Sequence, residues 1–434
     1  MRLSMRGAGP VLALRLLLRR FVRRGHLGVI DHTGRRHDFG TPGTHPSATV
    51  RLHDPSVYRR LIIHPTLHVG RAYVDGALTI EEGQLSDFLD LLLLNEQLTS
   101  KGRAGNVKRR LDEAARLAAV VNLPSRARRN VHHHYDHPAD FYRCFLDEDM
   151  QYSCAYFAAE GVSLEEAQEA KKRHIAAKLD IRPGHRVLDI GCGFGGTALF
   201  LARNYGVHVT GITLSTEQHK IARERAARLG LTRLVDFRLE DYRRTHGVFD
   251  RIVSVGMFEH VGRPHYRQFF SRINTLLGDD GVALLHTIGR YQAPSPINVW
   301  IRQNIFPGAY LPSLSQLVPV LEKEELWLTD FENLRVHYAT TLNEWNRRFQ
   351  ANRERVRELD PARYDERFFR MWEFYLQACE SGFRYSGLTV FQLQLAKRID
   401  SLPITRDYML AQERRLMSED AASRAVRGTR AAGE

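Results

Sequence analysis

The stretch Arg186–Thr197, RVLDIGCGFGGT, decides the fold of this chain. Its apolar residues Val187, Leu188 and Ile190 predict a short buried strand, and the glycines that follow predict a tight turn into a helix. Glycine lets the backbone approach a ligand that a Cβ atom would exclude, and the start of a helix offers free N–H groups. The stretch therefore predicts a ligand site at the end of a strand, although dinucleotide-binding enzymes share such a turn.

Two details of the turn separate these alternatives. Asp189 precedes the first glycine, and the spacing is GxGxGG, not the GxGxxG that binds a pyrophosphate. This combination resembles the S-adenosylmethionine site of class I methyltransferases, in which the backbone turn accommodates the methionine part of the cofactor. The next strand, His208–Thr213, ends without the Asp or Glu that usually holds the cofactor ribose, which departs from the general pattern.

Further sequence blocks stand in a set order around this turn. They read HHYD at His133–Asp136, QYSCAYF at Gln151–Phe157, GITLSTEQ at Gly211–Gln218, RLEDY at Arg238–Tyr242, FDRIVSVGMFEHVG at Phe249–Gly262 and LLHTIG at Leu284–Gly289. Each block alone is compatible with simple packing. The whole set in this order is hard to obtain by chance.

On these blocks the chain resembles the cyclopropane-fatty-acyl-phospholipid synthases, with the mycolic-acid cyclopropane synthases as relatives. The resemblance runs from about His133 to Arg398, and the smaller N-terminal unit resembles the extra domain of the phospholipid-acting branch. It implies a class I methyltransferase fold, a Rossmann-like doubly wound α/β sheet, with an N-terminal α+β accessory domain. Two departures, Phe194 for the usual Trp and His137–Ala139 for a more polar stretch, remove no catalytic group.

The resemblance also implies the cofactor, S-adenosylmethionine, and the residues that bind it. These are Tyr152, Ser153, Asp189, Gly191, Gly193, Thr213, Leu214, Gln218, Asp241 and Tyr242. Thr213 and Gln218 take the place of the missing ribose acid. No metal ion is expected, because the four cysteines form no zinc-ligand spacing and the consecutive histidines His132–His134 cannot all face one ion.

The implied reaction makes strong demands on its site. Methyl transfer from a sulfonium to a cis double bond produces a carbocation, and ring closure requires a proton to leave the new methyl group. The base must be sheltered from water, because water would trap the cation. In the family a bound bicarbonate ion is understood to be this base. The matching positions are Glu259, His286, Tyr338 and the backbone of Cys154 and Ile288.

Each of these positions has an expected role. Glu259 is expected to accept a proton or hydrogen bond from the bicarbonate, while His286 and Tyr338 orient its remaining oxygens. Taken singly, His286, Tyr338 and Cys154 are also compatible with ordinary packing. Aromatic faces that can stabilise the cation are those of Tyr156, Phe258 and Tyr310.

Two segments rich in large apolar residues are expected to accommodate a long acyl chain. They span residues 290–328 and 368–379. Each buried CH₂ group contributes ~0.8 kcal/mol, so a lipid chain favours an apolar tunnel that a small substrate would not need. The alternative is that these side chains form core over one face of the sheet.

The chain divides into five predicted segments. They are a basic amphipathic helix (1–24), an α+β accessory domain associated with lipid or membrane (25–99), a basic linker (100–130), the methyltransferase catalytic domain (131–406) and the end of a C-terminal helix with a disordered tail (407–434). Within the accessory domain, strands are predicted at His26–Ile30, Ala48–Leu52 and Leu78–Ile80, and helices over Asp54–Ile63 and from Gln84.

Positive charge is concentrated in two of these segments. Residues 1–36 hold nine arginines and one acid, and residues 101–130 hold nine Lys or Arg and two acids, whereas the whole chain carries only +13. Between residues 11 and 24, Val11, Leu14, Leu17, Leu18, Phe21 and Val22 recur at helical spacing, with the arginines on the other side. Such a helix suits an anionic membrane surface. The alternative is a helix packed on its own domain with a solvated arginine face.

These observations exclude several classes of protein. The apolar content of 43% and the charged content of 26% are those of a globular protein, and no apolar run is long enough for a spanning helix or a secretory signal. The four scattered cysteines rule out a disulfide framework and suit a reducing cytosol. We therefore expect a cytoplasmic enzyme at the inner membrane face.

The expected partners are unsaturated phospholipid and the anionic membrane surface, and a homodimer stays open. Nucleic acid is not expected, since no recognition motif accompanies the basic charge. Three alternative functions remain: methyl addition without ring closure, a non-catalytic lipid-binding relative, and an RNA methyltransferase. The apolar segments and the near-neutral catalytic domain disfavour the last of these.

Overall fold

The structure, a computed structural model, describes residues 9–100 and 137–418. Three predicted features lie outside these residues: the basic linker after residue 100, the HHYD block and the disordered C-terminal tail. All four cysteines fall within the described part of the chain and are free thiols. Across both described ranges, no helix combines the length and the hydropathy needed to cross a membrane.

Residues 9–100 form an α+β unit around a four-stranded sheet. Its elements are α1 (Pro10–Phe21), β1 (His26–Ile30), β2 (Arg36–Gly40), β3 (Ser47–Leu52), α2 (Ser56–Ile63), α3 (Pro65–Val74), β4 (Leu78–Glu82) and α4 (Leu85–Ser100). The strand order is β2-β1-β3-β4, in which only β1 and β3 run parallel. Helix α4 packs against β1 and β3 and closes the core of this unit.

Two of these elements, β2 and α3, have no counterpart in the sequence prediction. Strand β2 buries His37 and Phe39, and the polar His37 hides the apolar alternation. It is accommodated because its Nε2 lies 2.8 Å from the carboxylate of Asp31. Helix α3 buries Gly70, Ala72 and Val74, which are too small to give a strong apolar stripe.

Helix α1 divides its apolar residues between the protein and the solvent. Val11, Leu14, Leu18, Phe21 and Val22 pack into the accessory core, as the helical spacing predicts. Leu17, which the sequence places in the same stripe, is 47% exposed instead, and Leu12 and Leu16 are exposed beside it at 46% and 54%. They lie on the solvent face with Arg19 and Arg20, so the outer surface of α1 is both apolar and basic.

Residues 137–418 are built on a seven-stranded sheet. The strands are β5 (Arg186–Ile190), β6 (His208–Thr213), β7 (Val235–Leu239), β8 (Phe249–Val255), β9 (Leu277–Arg290), β10 (Trp327–Asn333) and β11 (Leu388–Ala396), in the order β10-β11-β9-β8-β5-β6-β7. Both faces are covered: Val187 belongs to one apolar cluster, and Leu188 and Ile190 belong to another. Strands buried on both faces explain the continuous apolar run in the sequence.

The helices of this part connect and cover the strands. They are α5 (Ala139–Arg143), α6 (Leu164–Lys178), α7 (Gly196–Tyr205), α8 (Thr216–Arg228), α9 (Tyr266–Leu276), α10 (Val299–Asn304), α11 (Leu314–Lys323), α12 (His337–Ala351), α13 (Arg353–Leu359) and α14 (Glu366–Tyr385), followed by a helix over residues 407–418. Short 3₁₀ turns occur at Tyr242–Arg244, Phe258–His260 and Arg263–His265.

The predicted doubly wound α/β sheet is confirmed, with one addition. Strands β9, β8, β5, β6 and β7 run parallel, whereas β11 is antiparallel to both β9 and β10. The sheet is therefore mixed, and its parallel part carries the glycine turn. Because parallel strands end at the same edge of a sheet, the loops after β5, β6, β7 and β8 meet there.

The accessory unit packs closely against α10 and α14. Gly70 of α3 has no room for a side chain, since an added Cβ would lie 2.8 Å from atoms of both Phe374 and Trp300. Beside it, the hydroxyl of Tyr73 donates to the carboxylate of Glu373 over 3.0 Å. The apolar residues that were expected either to line an acyl tunnel or to form core thus contribute at least in part to packing.

Candidate active site

One pocket opens at the edge of the sheet where the parallel strands end. All ten residues predicted to bind the cofactor line it: Tyr152, Ser153, Asp189, Gly191, Gly193, Thr213, Leu214, Gln218, Asp241 and Tyr242. They come from the loop before α6 and from the ends of β5, β6 and β7. The tertiary structure therefore gathers residues that are up to ninety positions apart in the sequence.

The three odd-numbered glycines of the turn serve different purposes. A Cβ at Gly191 would lie 2.7 Å from Met257, and one at Gly195 would lie 2.6 Å from Phe237, so both glycines permit close packing within the protein. A Cβ at Gly193 would meet no protein atom within 4 Å, although the residue has a positive φ of +55°. Since Gly193 lines the pocket, a side chain there would project into the space of a ligand.

Polar groups at the end of β6 line the pocket where the sequence predicts the cofactor ribose. The Thr213 hydroxyl donates to Gln218 Oε1 over 3.0 Å, and both side chains are buried. Ser215 caps α8 by accepting from the Gln218 amide. Beyond β7, the carboxylate of Asp241 is paired with Arg243, so its side chain is already engaged at the pocket wall.

Asp189 is a buried carboxyl at the end of β5. Burial raises its pKa to about 7, and the nearby Lys171 ammonium opposes that rise. Its Oδ2 atom has no hydrogen-bond partner among the described residues. A buried acceptor without a partner is costly, so a ligand with a positive charge or a hydrogen-bond donor fits this end of the pocket.

Glu259 lies just beyond the pocket, in the turn after β8. Its Oε1 accepts a hydrogen bond of 2.6 Å from the Ile288 amide, and its Oε2 has no partner within the described chain. Burial raises the pKa of this carboxyl to about 7. The backbone of Ile288 is part of the set that the resemblance assigns to a bound anion, and its amide donates to Glu259 and orients that carboxyl.

His286 occupies the same strand as Ile288, two residues earlier, so both side chains point to one face of β9. Its Nδ1 accepts from the Gln392 amide of β11 over 3.2 Å, which places the ring proton on Nε2. Burial lowers the pKa of His286 well below its ordinary value, and Lys171 adds to that effect. The imidazole is therefore neutral at physiological pH.

Cys154 and Tyr338 lie on two other elements and, like Glu259, His286 and Ile288, are not part of the pocket lining. Cys154 is buried in the loop before α6, and the amide of the next residue, Ala155, donates to the hydroxyl of Thr341 over 3.1 Å. Thr341 follows Tyr338 by about one turn of α12, so this bond ties the loop to the helix. The ring of Tyr338 is buried and packs edge-on against Trp345. Burial raises the pKa of the Cys154 thiol, which favours its neutral form.

Two of the three aromatic residues expected to stabilise the cation pack against other aromatic side chains. The ring of Tyr156 stacks against His174 at 4.3 Å and against His337 at 4.9 Å. Phe258 is fully buried and packs on Tyr266 and its neighbours on α9. The hydroxyl of Tyr310 accepts from Gln316, and its ring is only partly buried.

Several pocket residues are absent from the sequence prediction. Gln151, Glu240, Met257, His260 and His265 line the pocket. The first four stand within the sequence blocks that carry the family resemblance. Their position in these blocks could have identified them as pocket residues. Lys171 was not singled out, because its helix α6 is rich in charged residues and only the tertiary structure shows which of them are buried.

Comparison with known proteins agrees with this geometry. The profile of the family described as Mycolic acid cyclopropane synthetase matches residues 123–393. The cyclopropane-fatty-acyl-phospholipid synthase of Escherichia coli strain K12 is 37% identical over 358 residues, covering 82% of this chain and 89% of that protein. A probable fatty acid methyltransferase of Pseudomonas putida is 33% identical and covers 85% of this chain and 92% of its own length.

A solved structure supports the same assignment. The crystal structure of mycolic acid cyclopropane synthase CmaA1 complexed with SAH and CTAB aligns with a TM-score of 0.58 at 35% identity. The alignment covers 62% of this chain and 97% of that one. The shared fold therefore includes nearly all of the solved protein but leaves out a substantial part of this chain.

The open space above Gly193 leads to a test of the cofactor site. We expect Gly193→Ala to weaken S-adenosylmethionine binding at least about 10-fold, because the methyl group enters the pocket. Gly206→Ala is the matched control, since Gly206 also has a positive φ (+62°) with nothing near its Cβ but lies outside the pocket. Isothermal calorimetry on folded variants measures both. Equal affinities for the two variants would contradict the assignment.

Proposed function

Since the chain belongs to the mycolic acid cyclopropane synthetase family, we propose that it converts the cis double bonds of unsaturated phospholipid acyl chains to cyclopropane rings. The chain is an S-adenosylmethionine-dependent methyltransferase by family and by fold. The proposal adds the lipid class and the closing of the ring. The net change is gain of one CH₂ group: a methyl group is added to the alkene and one proton is lost.

The extent of the relatives supports a phospholipid substrate. The similarity to the Escherichia coli synthase covers 358 residues, which is longer than the matched family segment and so includes part of the N-terminal unit. The mycolic acid synthase CmaA1 matches only 62% of this chain. At least part of the accessory unit is thus matched by the relative whose name specifies a phospholipid, which supports a phospholipid substrate.

The observation that carries the proposed chemistry is the environment of Glu259. Loss of a proton beside a carbocation needs a base from which water is excluded. Glu259 is 6% exposed, is held by the Ile288 amide and keeps one oxygen without a partner in the described chain. With its pKa raised by burial to about 7, the carboxyl can take up and release a proton near neutral pH.

The residues present fit both expected small molecules. The ten pocket residues would hold S-adenosylmethionine, which supplies an electrophilic methyl group on its sulfonium. Glu259, His286, Tyr338 and the backbone at Cys154 and Ile288 would hold a bicarbonate ion, which would supply a base. The neutral His286 can donate from Nε2, whereas the free oxygen of Glu259 can accept, so the two side chains offer complementary hydrogen bonds to such an ion.

A second candidate function is methyl addition without ring closure. The Pseudomonas putida relative, which covers 85% of this chain, is described as a probable fatty acid methyltransferase. Both reactions share the methyl transfer and the carbocation. They differ in which proton leaves, and this depends on where the base stands relative to the new methyl group.

Helix α1 supports docking to an anionic membrane surface. Leu12, Leu16 and Leu17 are about half exposed on the solvent side of the helix. The exposed side chains of Arg19 and Arg20 follow on the same helix. Leucines can enter the apolar boundary of a bilayer while arginines contact anionic headgroups. This helix would bring the enzyme to its substrate at the inner membrane face.

Product analysis tests the proposed function. We expect the protein, incubated with S-adenosylmethionine and vesicles of a monounsaturated phospholipid, to yield lipid with cyclopropane ring protons in its proton NMR spectrum. Mass alone would not distinguish a ring from a methyl-bearing alkene, because the two have the same formula. A methyl-branched or methylene product would favour the second candidate, and an unchanged lipid would contradict both.

The raised pKa of Glu259 predicts the pH dependence of the reaction. Glu259→Gln should lower kcat by at least about 100-fold with a smaller effect on KM. At saturating cofactor, the parent's kcat should fall as the pH drops below about 7, where the carboxylate becomes protonated. The exposed Glu322→Gln on α11 is the control.

Three outcomes would revise this account of Glu259. A parent rate that stays level from pH 8 to pH 6 would contradict the role of the carboxylate. So would a Glu259→Gln variant with an unchanged kcat. Full activity of the parent in rigorously bicarbonate-free buffer would instead retain Glu259 as the direct base and remove the bicarbonate ion.

Membrane docking by α1 predicts a salt-sensitive interaction. Replacing Arg19, Arg20, Arg23 and Arg24 by glutamine should weaken sedimentation with anionic vesicles, most clearly at low salt. Activity on detergent-dispersed lipid should be retained. The control changes the same charge elsewhere, at the exposed residues Arg203, Arg223, Arg228 and Arg233 of the catalytic part. Equal loss of binding in both variants would assign the effect to net charge alone.

A further inference from the structure

A buried lysine lies between the cofactor pocket and the proposed proton-transfer residues. Lys171, on α6, is 0% exposed. Its ammonium donates to Gln151 Oε1 over 2.7 Å and to Ser153 Oγ over 2.8 Å. Both acceptors line the cofactor pocket. Burying an ammonium group costs free energy, so a lysine buried at this position is expected to have a function.

The same face of α6 holds the pocket segment through a second side chain. Gln168 donates its amide to the backbone oxygens of Gln151 and Ser153, over 3.3 and 3.0 Å. Gln168 and Lys171 are three residues apart and therefore neighbours on the helix surface. The two side chains make similar structural contacts to one segment, and only Lys171 brings a charge.

The charge of Lys171 reaches groups at both ends of the site. The charged and titratable groups that interact electrostatically with Lys171 are Asp147, Asp149, Cys154, Lys172, Asp189 and His286. Asp149 is already paired with Lys172 and Arg225. Asp189 has no such partner among the described residues and keeps Oδ2 unpaired, whereas the Lys171 ammonium is fixed on Gln151 and Ser153 in the wall of the same pocket and opposes protonation of this carboxyl.

We propose that Lys171 is a positioning residue that acts through Asp189: its buried positive charge favours the ionised form of this carboxyl in the wall of the cofactor pocket. This rests on the proposed function only in that the pocket binds S-adenosylmethionine. The sulfonium and ammonium groups of the cofactor outweigh its single carboxylate and leave it with a net positive charge, so an ionised Asp189 favours its binding and a protonated one does not. The anchoring of Lys171 by Gln151 and Ser153 sets the distance over which its charge acts.

The test follows S-adenosylmethionine affinity by calorimetry between about pH 5.5 and pH 8. In the parent, affinity should fall as the pH drops through about 7, the pKa to which burial raises Asp189. In Lys171→Met this acid limb, the fall in affinity at low pH, should move up by about 1 pH unit. The reason is that Asp189 loses one nearby positive charge. Lys171→Gln, which keeps a hydrogen-bond donor for the segment, should show the same shift if Lys171→Met fails to fold.

Two variants identify the origin of the limb. Gln168→Met disturbs the same segment without changing the charge, so it should leave the limb in place. Asp189→Asn should abolish the limb, which separates Asp189 from the pocket histidines His260 and His265.

The results that would overturn the proposal are distinct from a failure of the proposed function. An unmoved limb in both Lys171 variants, an equal shift in Gln168→Met, or a limb that survives Asp189→Asn would each reject the role of Lys171. So would a parent that binds the cofactor equally well across the range. A parent that does not bind S-adenosylmethionine at all would reject the proposed function itself.

Discussion

Two hydrogen bonds to one carbonyl hold the glycine turn in place. The amides of Gly191 and Cys192 both donate to the oxygen of Ile212, over 2.9 and 3.0 Å, which fastens the end of β5 to the neighbouring strand. Met257 closes the other side of the turn, where only a glycine at 191 leaves room for it. Because Met257 stands two residues before Glu259, the turn that shapes the pocket also fixes the start of the segment that carries the buried carboxyl.

The site concentrates polar groups where water has little access. Asp189, Glu259, His286 and Lys171 are all nearly or fully buried. Burial favours the uncharged form of each, so their charge states depend on the few partners that each one keeps. This arrangement suits the proposed reaction through a carbocation, since buried groups have little access to bulk water while proton acceptors and donors stay available.

Helix α14 links the accessory unit to this site. On one side it packs against Gly70 and Tyr73 of α3. On the other side the hydroxyl of its Tyr375 lies 2.8 Å from that of Tyr152, which lines the cofactor pocket. The consecutive residues Glu373, Phe374 and Tyr375 thus contact the accessory unit and the pocket wall from different faces of one helical turn. The apolar residues of 368–379 therefore connect the two parts as well as filling space.

The sequence by itself determined the parallel sheet, the glycine turn and ten of the residues that line the pocket. These follow from local rules: the apolar run of a strand buried on both faces, the conformations that only glycine adopts, and motif spacing that resembles a known family. Strand β2 and helix α3 could not be predicted, because their buried residues are a polar His37 or the small Gly70 and Ala72, which acquire their role only when a neighbour packs against them.

The tertiary structure alone decided which charges are buried and what they face. In α6, basic residues two positions apart differ in environment: Lys171 is buried against the pocket segment, whereas Arg173 remains half-buried near the surface. It also decided that the Ile288 amide serves Glu259, and that Leu17 faces solvent while Leu14 and Leu18 pack inward. The physical reason is that burial and electrostatic partners come from elements distant in sequence, so no local pattern records them.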